Sequence, residues 1–249
     1  MKASLWFKSL ASYQVEEYTL LRYIGHGKIG YVYEANSKAV LDWRVALKLI
    51  PRRLKKGWEN ELRKVSQLST IQGVVHLHGL GTAQIKHEGR TELFQYTVWD
   101  YVPPGRNLND YLKQVRICPT SFLVAVFEQV LRVLHACYAK NVRHGDLHPG
   151  NILIGDKDDA DLDSSLQLRE QIYISDFGYG TTGGKKQPKD DYLGLAQITN
   201  AIIEKVEWDG ATVTDRQMLK SIQNLSSKLL REVSSSERIS PLENSSDPA

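Results

Sequence analysis

Asp146 and Asn151 lie five residues apart in the stretch RHGDLHPGNIL, and Asp176 opens a DFG triplet after a short apolar run. Their spacing lets one carboxylate and one amide converge from a single loop. With Asp176 they supply the hard oxygen ligands that Mg²⁺ favours, water and phosphate oxygens completing the octahedron. Lys48 sits in the middle of VALKLI, and alternation puts its side chain on the face opposite Leu47 and Leu49. A lysine on the cleft side of a half-buried strand needs an anion, because an unpaired buried ammonium is costly. The candidates are a nucleotide phosphate and Glu61 downstream; a lysine at a sheet edge could instead reach solvent. GHGKIGYV supplies Gly25, Gly27 and Gly30, where missing side chains let backbone N–H groups approach a phosphate. A tight hairpin would use the same residues, but strand, glycine loop and strand is not the strand-to-helix setting of a dinucleotide fold.

The elements that must position these groups fall into two halves. Residues 18–24 (YTLLRYI), 31–35 (YVYEA) and 44–50 (RVALKLI) have strand character, the first two bracketing the glycine-rich turn as a hairpin. Trp58, Leu62, Val65 and Leu68 then recur at helical spacing. Strand patterns return at VVHLHGLG and ELFQYTVWDYV. The expectation is an antiparallel five-stranded sheet carrying one helix, over residues 18–102, preceded by an N-terminal extension, 1–17.

Beyond Pro103 to Gly105 the pattern turns helical, with a short helix at NLNDYLKQV and a long buried one over residues 120–140. Short strands near residues 152–154 and 172–174 precede two further helices. Residues 103–233 therefore read as a mostly helical second lobe, and the fold class is α+β. The Ser-, Pro- and acid-rich stretch 234–249 lacks apolar periodicity and reads as a disordered tail or linker.

Composition sets the outer bounds. A chain of 249 residues with 41% hydrophobic, 24% charged and 9% aromatic residues can bury a core, and fits one large domain or two lobes sharing a cleft. A formal charge of +3 does not imply a polyanionic partner; nucleic acid is left open but not indicated. Cys118 and Cys137 have no metal-ligand spacing and build no disulfide framework, which fits a reducing cytoplasm. Lys8 interrupts the N-terminus before a signal-peptide core accumulates, and the most apolar run carries Glu128, Gln129 and Arg132. Neither export nor a membrane span is expected.

In chain order the glycine-rich hairpin, VALK, the helix with Glu61, HGDLHPGN and DFG resemble the protein-kinase superfamily, over roughly residues 18–204. The resemblance implies a two-lobed fold, ATP and Mg²⁺ as cofactors, and transfer of a phosphoryl group to an alcohol. It implies that Gly25, Gly27 and Gly30 cover the phosphates, and that Lys48, paired with Glu61, holds two of them. It implies that Asp146 accepts the proton of the substrate hydroxyl, and that Asn151 and Asp176 bind magnesium. Val32, Ala46 and Leu153 would sandwich the adenine, Asp100 to Val102 would form the hinge that reads its edge, and Trp99 would stand at the back of the pocket. Phosphoryl transfer asks the protein mainly to position groups and neutralise charge, and this residue set is sufficient for it.

Several features depart from the family pattern. Gly145 stands where many protein kinases have the arginine that answers a phosphate on the activation segment. His148 stands where Ser/Thr kinases usually have lysine, and HGDLHPGN in this form resembles aminoglycoside and choline kinases. Only eleven residues, 179–189, separate Gly178 from the acidic pair Asp190 and Asp191, one of which would anchor the following helix. No APE-like motif follows, so the C-terminal lobe is reduced and resembles compact atypical kinases. The leading expectation is a Ser/Thr protein kinase without a conventional activation segment, under constitutive or partner control. The alternatives are a small-molecule alcohol kinase and a pseudokinase.

The acidic insert from Asp159 places Asp161, Asp163 and Glu170 at calcium-loop positions, but Ser164 replaces the required glycine, and a solvated loop is the better reading. The basic clusters at 51–56 and 183–189 read as solvated loops, with an anionic substrate or RNA as the lesser alternative.

Overall fold

A computed structural model of the chain describes residues 3–27, 30–52, 58–102, 106–156, 170–177, 191–206 and 212–236. Strands β1 (Gln14–Val15), β2 (Tyr18–His26), β3 (Tyr31–Ser37), β4 (Arg44–Pro51), β5 (Leu77–His87) and β6 (Arg90–Asp100) form one antiparallel sheet in the order β1-β2-β3-β4-β6-β5. The five expected strands are present, and the two-residue β1 adds a sixth. Strand alternation divides this sheet by face. Val45, Leu47 and Leu49 of β4 join Tyr33, Phe94, Tyr96 and Val98 on the outer side, leaving Ala46 and Lys48 to face inward.

That outer face is covered by the residues before β2. Helix α1 (Ala3–Lys8) lays Trp6 and Phe7, with Leu10 just beyond it, onto the sheet. Trp6 Nε1 donates to the His87 carbonyl at 3.1 Å and the Tyr33 hydroxyl donates to the Phe7 carbonyl at 2.8 Å. Each fully buried aromatic of this kind stabilises by roughly 1.5–3 kcal/mol. The extension 1–17 is therefore, over its described residues, part of the first lobe's core.

Helix α2 (Trp58–Ser66) turns Val65 toward the second core, with Leu62 packed against it. That core belongs mainly to α3 (Leu108–Gln114), α4 (Thr120–Ala139), α5 (Asp191–Ile203) and α6 (Val213–Ser236). Alone, α4 is long and apolar enough to cross a membrane, but Phe122, Leu123, Val130 and Leu134 lie at the centre of this core. Beside the helices, β7 (Arg106–Asn107), β8 (Ile152–Asp156) and β9 (Glu170–Ile174) form a small antiparallel sheet. Residues 157–169 of the acidic insert between β8 and β9 lie outside the described residues, Glu170 already opening β9, as do the basic cluster at 183–189 and the tail beyond Ser236.

One contact between the halves fixes the site. The Val75 amide donates to the Ile174 carbonyl at 3.0 Å, and the Ile174 amide donates to the Gly73 carbonyl at 2.8 Å. The end of β9, and with it Asp176 two residues on, is thus hydrogen-bonded to the segment leading into β5.

Candidate active site

Between the lobes lies a cavity of about 430 Å³. Of the residues singled out in the sequence, Gly25, Gly27, Val32, Ala46, Lys48, Asp100, Val102, Asp146, Asn151, Leu153 and Asp176 line it. Gly30 is not among the lining residues; a Cβ there would stand 2.8 Å from the Leu49 carbonyl, so the close approach of the chain to β4 requires glycine at this position. Glu61 lies within α2, but its side chain, like Lys28 and Ile29, falls outside the described residues.

Strand register explains the upper half of the site. Lys48 lies opposite Val32 on one side and Thr97 on the other, in the middle of the sheet, and is 7% exposed. Its Nζ is 3.5 Å from Asp176 Oδ1, whose side chain is about half exposed to the cavity. Trp99, opposite Ala46, is buried at the back, its Nε1 donating to Thr97 Oγ1 at 2.7 Å. Asp100 ends β6, and the segment Asp100 to Val102, read above as the hinge, lines the cavity.

Below, a network of backbone bonds shapes the loop that carries Asp146. Asn151 Nδ2 donates to the Asp146 carbonyl at 3.0 Å, closing the loop through a single 3₁₀ turn, Pro149–Asn151. The Ser175 amide donates to the Asn151 carbonyl at 3.0 Å, which joins this loop to Asp176. His148 is extended and its Nδ1 accepts from the Gly150 amide at 3.0 Å. His144 is buried, its Nε2 2.8 Å from the Ser175 carbonyl and its ring against Phe177, 4.8 Å between centroids. Burial pushes the His144 pKa below its ordinary 6.5, against the Ser175 carbonyl and the charges of Asp191 and Asp176, which pull it up.

Of the two acids left open as anchor, the structure selects Asp191. This buried first residue of α5 accepts from the Gly145 amide at 2.7 Å and the His144 amide at 2.8 Å, with the Tyr138 hydroxyl at 3.3 Å. Gly145 has a φ of +83°, so the loop needs the left-handed conformation there, which glycine adopts without strain. Two further clusters were not legible from short-range spacing. The Asp100 carboxylate is held by His76 and His78, and the Tyr101 hydroxyl meets Glu34 and Arg22. Their members are brought together only by strand pairing.

The donor set suits a phosphate-bridged Mg²⁺. Asn151 and Asp176 offer oxygens to one cavity beside a cationic Lys48, whereas no group of three His, Cys, Asp or Glu side chains able to cage a metal occurs among the described residues. Mg²⁺ is usually held in this way, by one or two protein oxygens with substrate phosphates and water.

A two-lobed fold with its polar side chains converging on the interlobe cleft defines the class of phosphoryl-transfer domains. The protein kinase domain family matches residues 18–199, and the chain belongs to that family. It is 26% identical over 206 residues to CBL-interacting protein kinase 15 of Oryza sativa subsp. japonica, covering 79% of this chain and 42% of that protein. It is 31% identical over 167 residues to serine/threonine-protein kinase PknA of Mycobacterium tuberculosis, covering 65% of this chain and 35% of that protein. The chain thus spans less than half the length of either relative. Among solved structures, the kinase domain of Mycobacterium tuberculosis PknI superposes with a TM-score of 0.56 over 88% of this chain and 90% of that one, at 15% identity, a likeness of fold.

Proposed function

We propose that this chain is an ATP- and Mg²⁺-dependent kinase domain that phosphorylates serine or threonine hydroxyls on protein, with a shortened activation segment. The observation that carries this reading is the convergence of Lys48, Asp146, Asn151 and Asp176 on one interlobe cavity. Lys48 neutralises phosphate charge, Asn151 and Asp176 hold the metal, and Asp146 orients the acceptor hydroxyl and takes its proton. Bound magnesium would neutralise the developing charge on the transferred group. Ala46, Val32 and Leu153 close on the adenine, and the backbone of Asp100 to Val102 reads its edge.

The expected eleven-residue spacing to Asp190 lies outside the described residues, but α5 begins at Asp191 and Phe177 is already packed on His144. The catalytic loop is anchored by Asp191, and position 145 holds glycine rather than arginine. Both features support assembly that does not wait for a phosphate on that segment. His148 in the cavity wall supports a second reading, a small-molecule alcohol kinase, because it occupies the place usually held by a substrate-side lysine.

Incubation with radiolabelled ATP and Mg²⁺, then mapping of the label, tests these readings. Label on serine or threonine of the chain or of a basic protein acceptor, abolished in Asp146→Asn and Lys48→Ala, is the expected result. Label only on an added amino alcohol or aminoglycoside selects the second reading, and ATP binding without transfer selects a pseudokinase with a regulatory role.

A further inference from the structure

The two hinge residues Asp100 and Tyr101 are both fastened to the first lobe, through opposite faces of the sheet. Asp100 Oδ2 accepts from the His76 amide at 2.8 Å and stands 3.1 Å from His76 Nδ1, while Oδ1 is 2.5 Å from His78 Nε2. On the other face the Tyr101 hydroxyl donates to Glu34 Oε2 at 3.1 Å and accepts from Arg22 Nη2 at 3.1 Å. Glu34 is 5% exposed, and it also accepts from Arg22 Nε at 3.1 Å, Arg22 Nη2 at 2.9 Å and Arg44 Nη1 at 2.9 Å.

These positions bear on the roof of the cavity. Arg22 is on β2 and Glu34 on β3, the two arms of the glycine-rich hairpin, and they face each other in register. The hydroxyl of one hinge residue therefore joins both arms at once. Burial alone would push the Glu34 carboxyl up, but hydrogen bonds from Arg22 and Tyr101, with the charges of Arg22 and Arg44, outweigh it and hold the group below its usual range. Two arginines already neutralise this carboxylate, so the tyrosine is not needed as a counter-charge. What it adds is a fixed distance between the hinge and the hairpin that carries Val32 over the slot.

Resting on the reading of this cavity as a nucleotide site, we propose that Tyr101, acting through Glu34, is a positioning residue for the nucleotide. It sets the height of the glycine-loop hairpin over the hinge, and so governs affinity for the adenine nucleotide rather than the rate of transfer. A purely structural network would instead change the melting temperature and leave nucleotide affinity alone.

Calorimetric titration of the full chain with MgADP decides the matter, comparing wild type with Tyr101→Phe, which keeps the ring and removes the hydroxyl. Loss of the hydroxyl's two hydrogen bonds to charged partners, Glu34 and Arg22, predicts a Kd weakened about three- to tenfold. In steady-state assays the change should fall on KM for ATP, not on kcat. Arg22→Ala, at a side chain 59% exposed, removes the other partner of the same hydroxyl and carries the same expectation should Tyr101→Phe not fold. A Kd within twofold of wild type in the folded variant, whatever its melting temperature, overturns the proposal. Failure of the wild type itself to bind MgADP overturns the nucleotide reading, and this proposal with it.

Discussion

Asp191, at the start of α5, accepts hydrogen bonds from two consecutive amides, His144 at 2.8 Å and Gly145 at 2.7 Å, immediately before Asp146. A carboxylate from one helix thereby sets the backbone leading into Asp146. Asp191→Ala leaves two buried amides without partners, at roughly 1–3 kcal/mol each. The variant should unfold at a markedly lower urea midpoint and lose transfer activity, whereas Asp191→Asn, which keeps one acceptor oxygen, should lose less of both. Equal stability of Asp191→Ala and wild type in urea titration would show that the loop does not depend on this anchor.

Gly194 marks the next turn of the same helix against the same loop. A Cβ there would stand 2.6 Å from the Leu147 carbonyl and 2.7 Å from its Cβ. Backbone cannot yield as a flexible side chain does, so Gly194→Ala should separate α5 from the loop at a cost of about 1–3 kcal/mol. Activity should fall further than stability does, because the displaced residue adjoins Asp146. A melting temperature and kcat both equal to wild type would be the contrary result.

How far the sequence carried these relationships depends on the separation of the partners. The strands of the first lobe, α4 and the cavity-lining side chains were legible because alternation, helical periodicity and motif spacing are local signals. The role of α1 was not, since six residues are too few for a periodic face and the apolar partner of Trp6 and Phe7 is a sheet formed later in the chain. Asp190 and Asp191 were indistinguishable by spacing; only the helix start at Asp191 points one of them at the Gly145 amide. The steric need for glycine at position 30, a Cβ there meeting the Leu49 carbonyl at 2.8 Å, was not legible from the motif it shares with Gly25 and Gly27.

The thiol of Cys137 offers a chemical check on the core. Burial, with a smaller contribution from the negative charge of Asp191, pushes its pKa up to about 12, far above where a reactive thiolate would form. Neither cysteine should be alkylated by iodoacetamide at pH 8 in the native protein, and both should react completely in urea. Rapid native labelling at Cys137 by mass spectrometry would mean that α4 is less enclosed than described.

The buried His144 makes stability depend on mild acid. Its pKa is held below the ordinary 6.5 mainly by burial, so the unfolded chain binds this proton at a pH where the native protein does not. Stability is therefore complete above about pH 6.5 and declines as the pH falls toward the depressed native value, because protonation pulls on the unfolded state. Glu34 acts in a lower window: its native pKa lies below the ordinary 4.5, so the stability it contributes is present above that value and is lost as pH falls beneath it. Urea midpoints measured from pH 8 to pH 3 should drop first below 6.5 and again beneath 4.5, where Glu34 loses its contribution. His144→Phe, which keeps an aromatic ring against Phe177 but cannot bind a proton, should flatten that first decline while leaving the more acidic one in place. A decline of equal size in His144→Phe and wild type between pH 7 and pH 5.5 would assign it to another group.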